Sequence, residues 1–321
     1  MNRYSVCCLC FLLILFSNAA DALPGGEIVF VHPLDWSEIW ISNVDGTNAR
    51  QLFPQTFEQV HHLSVQKGGD YILAVAEEPW SQWDIYLFDL RNPKTFQKNL
   101  TKGRFDWIEY ADISKNGDVA FGYEGGLYLI KSRELVKREP AVEKLLDWEW
   151  ADAVEWAPNG QQIVFSHRNN LYLFDIVTKE VFQIGAEADD PAFSPNGKQI
   201  AFSASVIRKG QLWTTALAVT TPHPNADVNM LRVRKDYLYR NPVWSPDGRY
   251  IAYVSYTKLD VQNIEQFQAI GNFVIPATGG EPEPILLGSK WTEWVFEWVD
   301  EAYPVEPDVS LVTTWGKLKT Q

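Results

Sequence analysis

Apolar residues along this chain come in short runs with little polar interruption: EIVFVH from Glu27, YILAVA from Tyr71, DIYLFDL from Asp84, QIVFSH from Gln162, NLYLFDI from Asn170 and RYIAYVS from Arg249. Each is rich in β-branched and aromatic residues and bounded by Gly, Pro, Asn or Asp, which predicts strands and leaves almost no helical periodicity. Three stretches are variants of one sentence: WAPNGQQIVF at 156–165, FSPNGKQIAF at 193–202 and WSPDGRYIAY at 244–253. In each, an aromatic residue ends one strand, a Pro-Asn/Asp-Gly turn follows, and a second strand begins. Asn-Gly and Asp-Gly supply the positive φ that a tight hairpin needs.

Anchored on the turn glycine, the unit recurs at Gly117, Gly160, Gly197 and Gly248, with a looser member at Gly69 in QKGGDYILAVA. The intervals, about 37 to 51 residues, fall in the range of propeller blades and solenoid repeats. A third strand follows a variable loop, as in GLYLIKS at 126–132, and a fourth such as EVFQIG at 180–185 closes the unit. Four strands per repeat predict an all-β, six-bladed β-propeller. Five units are anchored. The sixth is split: 27–53 supplies second, third and fourth strands without a first, and WVFEWVD at 294–300 supplies a first strand alone. Pairing the C-terminal strand with the N-terminal strands closes the ring and removes two exposed edges.

The aromatic-Ser/Ala-Pro-Asp/Asn-Gly-x-x-Ile-Ala/Val-Phe/Tyr signature resembles the TolB-type propeller repeat, over about residues 27 to 300. The resemblance implies the fold rather than a chemistry. TolB itself carries an α/β domain ahead of its propeller, used for partner contacts in the cell envelope. Here only Leu23 to Gly26 separate the expected cleavage site from the first strand, so the resemblance implies the propeller without that domain. The expected organisation is a signal peptide at 1–22, the propeller at 23–303 and a tail at 304–321, with Pro304 and Pro307 marking the exit.

Composition adds a compartment. Arg3, the apolar run Val6 to Phe16 and the small-x-small site Ala20-Asp21-Ala22 read as a secretory leader, and the run is too short for a stable transmembrane span. The expected localisation is secreted or periplasmic. Cys7, Cys8 and Cys10 all lie in the leader, so the mature chain would hold no thiol or disulfide and would depend on its core, for which 46% hydrophobic and 14% aromatic residues suffice. The formal charge of -13 argues against nucleic acid and anionic lipid as partners, and favours cationic ones.

Binding on a propeller resides where the rigid scaffold carries variable loops, here the loops entering the first strands. Those loops interleave rings and carboxylates: Trp107 and Glu109; Trp148 and Trp150; Asp189 and Asp190; Tyr239 and Arg240; Trp291 and Trp294. Such a set can sandwich an apolar or sugar face while orienting cationic or hydroxyl groups. First strands are innermost in a propeller. The position before each core aromatic or aliphatic residue is His62, Asp112, Glu155, Ala192, Val243 and Glu297, which places Asp112, Glu155 and Glu297 around a central channel as candidate ligands for a divalent cation, with a water-filled polar channel as the alternative. No HExxH, Gly-x-Ser-x-Gly elbow or Gly-rich phosphate loop is present. The expected function is a non-enzymatic binding module for a protein or peptide. The alternative is a carbohydrate-processing enzyme using the channel carboxylates as acid and base.

Overall fold

The repeated turn is built from its own side chains. In Ser194-Pro195-Asn196-Gly197, the Gly197 N–H donates to the Ser194 carbonyl (2.8 Å), Asn196 Oδ1 accepts from Lys198 N (3.0 Å) and Ser194 Oγ accepts from Gln199 N (2.9 Å). Gly197 sits at φ 68°, where a side chain would be strained. Ser245-Pro246-Asp247-Gly248 repeats the arrangement, with Asp247 Oδ1 on Arg249 N at 2.9 Å and Gly248 at φ 71°. Each turn joins an innermost strand to the second strand of its sheet.

The structure, a computed structural model, describes residues 25–32, 36–53, 57–79, 82–91, 97–208, 211–234, 237–261, 264–285 and 296–300. The expected leader and the tail at 304–321 lie outside the described residues, as do Trp291 and Trp294. Among the described residues the chain forms six four-stranded antiparallel sheets. The inner strands are Phe296–Val299 (blade 1), Gln59–Val65 (blade 2), Ala111–Ile113 (blade 3), Asp152–Trp156 (blade 4), Ala188–Phe193 (blade 5) and Tyr237–Trp244 (blade 6). Each touches the inner strand of the next blade around a complete ring. Closure occurs as expected: Phe296–Val299 pairs with Glu27–Val31, in the register Phe30 opposite Phe296 and Ile28 opposite Trp298. No helix among the described residues is long and apolar enough to cross a membrane.

Alternation along the middle strands explains why they read as continuous apolar runs. In Tyr71–Glu77, Ile72, Ala74 and Ala76 pack toward blade 1, whereas Leu73 and Val75 pack toward blade 3. Both faces of the sheet are therefore buried, and the core is a set of apolar wedges between neighbouring blades. Two features were not expected. The second strands of blades 5 and 6 run on as Ile200–Arg208 and Tyr250–Val261, making tall hairpins with Gln211–Thr220 and Ile264–Pro276. The inner strands also bulge, with register shifts between Asp152 and Glu155, Asp189 and Ala192, and Arg240 and Val243. Ala153, Asp190 and Asn241 adopt φ of 44°, 50° and 50° inside those bulges, and the strand bends there.

Candidate functional site

The inner strands surround a central cavity of about 610 Å³, and all six residues expected to face the channel line it: His62, Asp112, Glu155, Ala192, Val243 and Glu297. The turns reach it as well. Pro158, Pro195 and Pro246 line the cavity, and the position they hold in the turn is occupied in blades 2 and 3 by Lys67 and Lys115. Lys67 Nζ lies 3.5 Å from Glu155 Oε1, so a turn of blade 2 reaches an inner strand of blade 4. Burial opposes the Lys67 ammonium, but Glu155, Asp112 and Glu297 outweigh it and raise its pKa. The signal for this lysine is present in the sequence: the two weak copies of the turn put lysine where the strong copies put proline.

The acids tie blades together. Asp112 of blade 3 accepts the Ser64 hydroxyl of blade 2, its own strand's Ile113 N–H (2.8 Å), and the Trp156 N–H of blade 4 (2.5 Å). Glu155 of blade 4 accepts the Phe193 N–H of blade 5 (2.9 Å). A carboxylate one residue before the core aromatic thus satisfies a backbone donor of the next blade. Its remaining lone pairs face Lys67. Burial is the main reason that Asp112 and Glu297 are held above the usual carboxylate range and that Glu155 is pushed up to about 7. Among the described residues no three His, Cys, Asp or Glu side chains come together as a group that could hold a metal ion. Two of the three acids are committed to backbone donors, and the cation beside them is the chain's own lysine.

Ionisation of Glu155 gives stability a pH dependence of defined sign. Its folded pKa lies above the ordinary 4.5, so between about 4.5 and 7 the folded state keeps a proton that the unfolded state has released, and stability falls as pH rises through that window. Asp152, pushed up to about 6, acts in the same direction, whereas His62, lowered to about 4, acts oppositely. Comparing Glu155→Gln with the wild type isolates one group, because the amide oxygen can still accept from Phe193. The variant should gain on the order of 2 kcal/mol, or about 5 °C in Tm, relative to wild type at pH 8, and little at pH 5. Equal Tm differences at the two values would contradict the raised pKa.

At the loop-facing end the inner strands carry a second layer of charge. Asp190, with its side chain 8% exposed, accepts from Ser203 Oγ (3.1 Å) and faces Arg240 Nη1 (3.4 Å), which also pairs with Asp189 (3.5 Å). Burial and the neighbouring Asp189 hold the Asp190 carboxyl above its usual range. Burial also raises Asp152, with Glu109 and Asp189 adding to it. Tyr110 stands among these acids and meets His62 edge-on at 5.1 Å. On the blade 2 and 3 side, His61 stacks on Trp83 (3.6 Å), and Trp83 meets Trp107 edge-on (5.1 Å). Trp107 is 62% exposed.

The expected loop set therefore divides. Asp189, Asp190 and Arg240 form one charged group, Glu109 lies within electrostatic reach of Asp152, and Trp107 stands exposed against Trp83. Tyr239 does not offer a binding face: it is buried against Tyr253, inside the wedge between blades 5 and 6. Trp148 is half-buried, packed edge-on against Tyr172 (4.7 Å) and Phe165 (5.5 Å). Trp150 donates its indole N–H to Asp152 and positions that carboxylate. Sequence reasoning missed Trp83 and His61, which connect Trp107 to the channel wall. Asn99-Leu100-Thr101 has the Asn-x-Thr form of a glycan acceptor, but its side chains are used internally: the Asn99 amide donates to Asp84 (2.9 Å) and Thr101 is fully buried.

No protein-family model matches the sequence, and no curated protein matches it. Solved structures do. TolB from Acinetobacter baumannii aligns at 18% identity over 86% of this chain and 67% of its own, with a TM-score of 0.57. A chain of a nidogen/laminin complex aligns at 8% identity over 86% and 98%, with a TM-score of 0.60. A puromycin hydrolase, as its S511A mutant complexed with PGG, aligns at 14% identity over 85% of this chain and 45% of its own, with a TM-score of 0.52. At such identities the likeness is one of architecture, and the chain has the fold of the TolB-like six-bladed β-propellers.

Proposed function

We propose that this propeller, exported by its leader, is a non-enzymatic binding module that holds a protein or peptide partner on its loop face. The observation that carries the reading is the pairing, at one end of the channel, of an exposed aromatic rib with a crescent of acids. Trp107 is backed by Trp83 and His61, while among the loop-end acids Asp152 lies within electrostatic reach of Glu109 and Asp189, and Asp189 pairs with Arg240. A preorganised ring that loses its exposed face to a partner is the usual form of a binding hot spot, and the acids favour a partner with basic groups. The nidogen/laminin neighbour belongs to a structure of a protein complex, which favours a protein partner here as well.

A second reading, a carbohydrate-processing or other hydrolytic enzyme, draws on Asp152 and Glu155, raised to about 6 and about 7, and on the hydrolase among the structural neighbours. Screening the purified chain against peptide and polysaccharide libraries, scored for both retention and product, separates the two. Peptide retention without product is expected. Trp107→Ala should weaken it by about 2 kcal/mol, roughly 30-fold in Kd, with folding unchanged because the ring is exposed. A product that disappears in Glu155→Gln and Asp112→Asn would overturn the binding reading in favour of catalysis.

A further inference from the structure

The chain carries 28 basic residues against 41 acidic ones, yet one stretch of its rim reverses that balance. In blade 3 the connection from Gly126–Ile130 to the outermost strand, Glu143–Asp147, runs through residues 131–142 and packs against blade 2, with Leu135 buried in the same apolar wedge as Leu100. Three cations of blade 2 fasten it. Lys98, in the outermost strand Gln97–Asn99, donates to the carbonyls of Leu135 and Lys137, Lys102 donates to that of Arg138 (2.8 Å), and Arg104 donates to that of Pro140 (3.0 Å). Carbonyl oxygens satisfy these donors without neutralising them. Among the described residues none of the three cations has a carboxylate within ion-pair distance, and neither has the exposed Arg138. Of the two acids in the connection, Glu134 is buried and pairs with Lys137 (2.7 Å), and Glu139 is exposed. The crowding registers at Lys98, whose pKa is lowered by burial and by the charge of Lys102. Between the two carbonyls that Lys98 holds, Val136 is 88% exposed.

We propose that this rim is a docking surface for a short acidic segment of a protein partner, held by Lys98, Lys102, Arg104 and Arg138 with an apolar side chain against Val136. Charge complementarity selects the acid. Three of the four basic head groups are already fixed by backbone oxygens, so less rotamer entropy is lost on binding than at a freely solvated basic face. The formal charge of -13 sets the size of the ligand. Beyond about a Debye length, ~10 Å at 0.1 M salt, the remaining surface repels anions, so a membrane or a long polyanion that overruns the patch is disfavoured against a peptide that ends within it. The surface does not rest on the loop-face reading, because its ligand has the opposite charge and its residues are others.

The test uses a labelled heptapeptide of glutamates around a central leucine, with glutamines in place of the glutamates as its neutral control. Fluorescence anisotropy at pH 7 and low ionic strength should show the acidic peptide binding to the wild type, and binding at least ten-fold more weakly to a chain carrying Lys102→Glu together with Arg138→Glu. Should that double variant not fold, Arg138→Gln decides, since this side chain makes no hydrogen bond or ion pair among the described residues, and it should weaken binding at least three-fold. No binding of the acidic peptide, equal binding of the neutral one, or an affinity unchanged in the variants would overturn the proposal. Two other outcomes would overturn it in favour of a different occupant. Tighter capture of phosphatidylserine vesicles than of the peptide, lost in the same variants, would assign the patch to a membrane surface, and self-association of the chain alone, lost in them, would assign it to the acidic face of a second copy.

Discussion

A chain ending at Lys290 should lose cooperative folding. It lacks Phe296–Val299, the inner strand of blade 1, in which Phe296, Trp298 and Val299 are all buried. Burying a Phe or Trp in a packed core is worth about 3–5 kcal/mol by truncation, so these residues together approach the whole stability of an ordinary domain, about 5–15 kcal/mol. The loss is compounded by topology. Glu27–Val31 would become an unpaired edge facing the channel, and the wedge that Phe296 and Trp298 share with Ala252 and Val254 of blade 6 would open to water. A sharp fall in Tm or insolubility is expected for this truncation, and a milder effect for a chain ending at Tyr303. Melting curves that matched for all three chains would mean that the ring closes without this strand.

The second large effect is expected at Asp112. Replacing it with Ala removes the acceptor for the Trp156 N–H and the Ser64 hydroxyl, and one of the two acceptors of the Ile113 N–H, Ser64 Oγ (3.2 Å) being the other. Leaving such buried donors without a partner costs about 1–3 kcal/mol each, but the same change relieves the burial of a carboxylate already held above its usual pKa, so the net loss should be about 2–3 kcal/mol. Asp112→Asn, which keeps one acceptor oxygen, should cost less than half as much. Urea unfolding of the three proteins reads the difference directly. An alanine variant within about 0.5 kcal/mol of wild type would show that Asp112 does not staple blade 3 to blade 4.

Residue identity alone determined the hairpins, because their causes are local. A positive φ at Gly197 or Gly248, a side-chain oxygen two residues before a backbone donor, and an apolar run long enough for one strand all lie within ten residues of sequence. Repetition of that unit then fixed blade number and ring closure, and strand alternation was enough to place six named positions on the channel wall. The use made of those positions was decided by contacts between blades. Nothing near Asp112 in sequence announces that the Trp156 N–H will meet it, nor that Lys67 will cross from blade 2 to Glu155 of blade 4, because these meetings depend on how sheets far apart in the chain are rotated about a common axis. The same is true of the aromatic loop residues. Tyr239 and Trp107 look alike as rings beside acids, but an inner strand that bulges between Arg240 and Val243 turns Tyr239 into the wedge against Tyr253, while the loop at Trp107, at φ 61°, leaves its ring in solvent. A one-residue difference in strand phase exchanges core for surface, and that phase is set by the packing of the neighbouring blade.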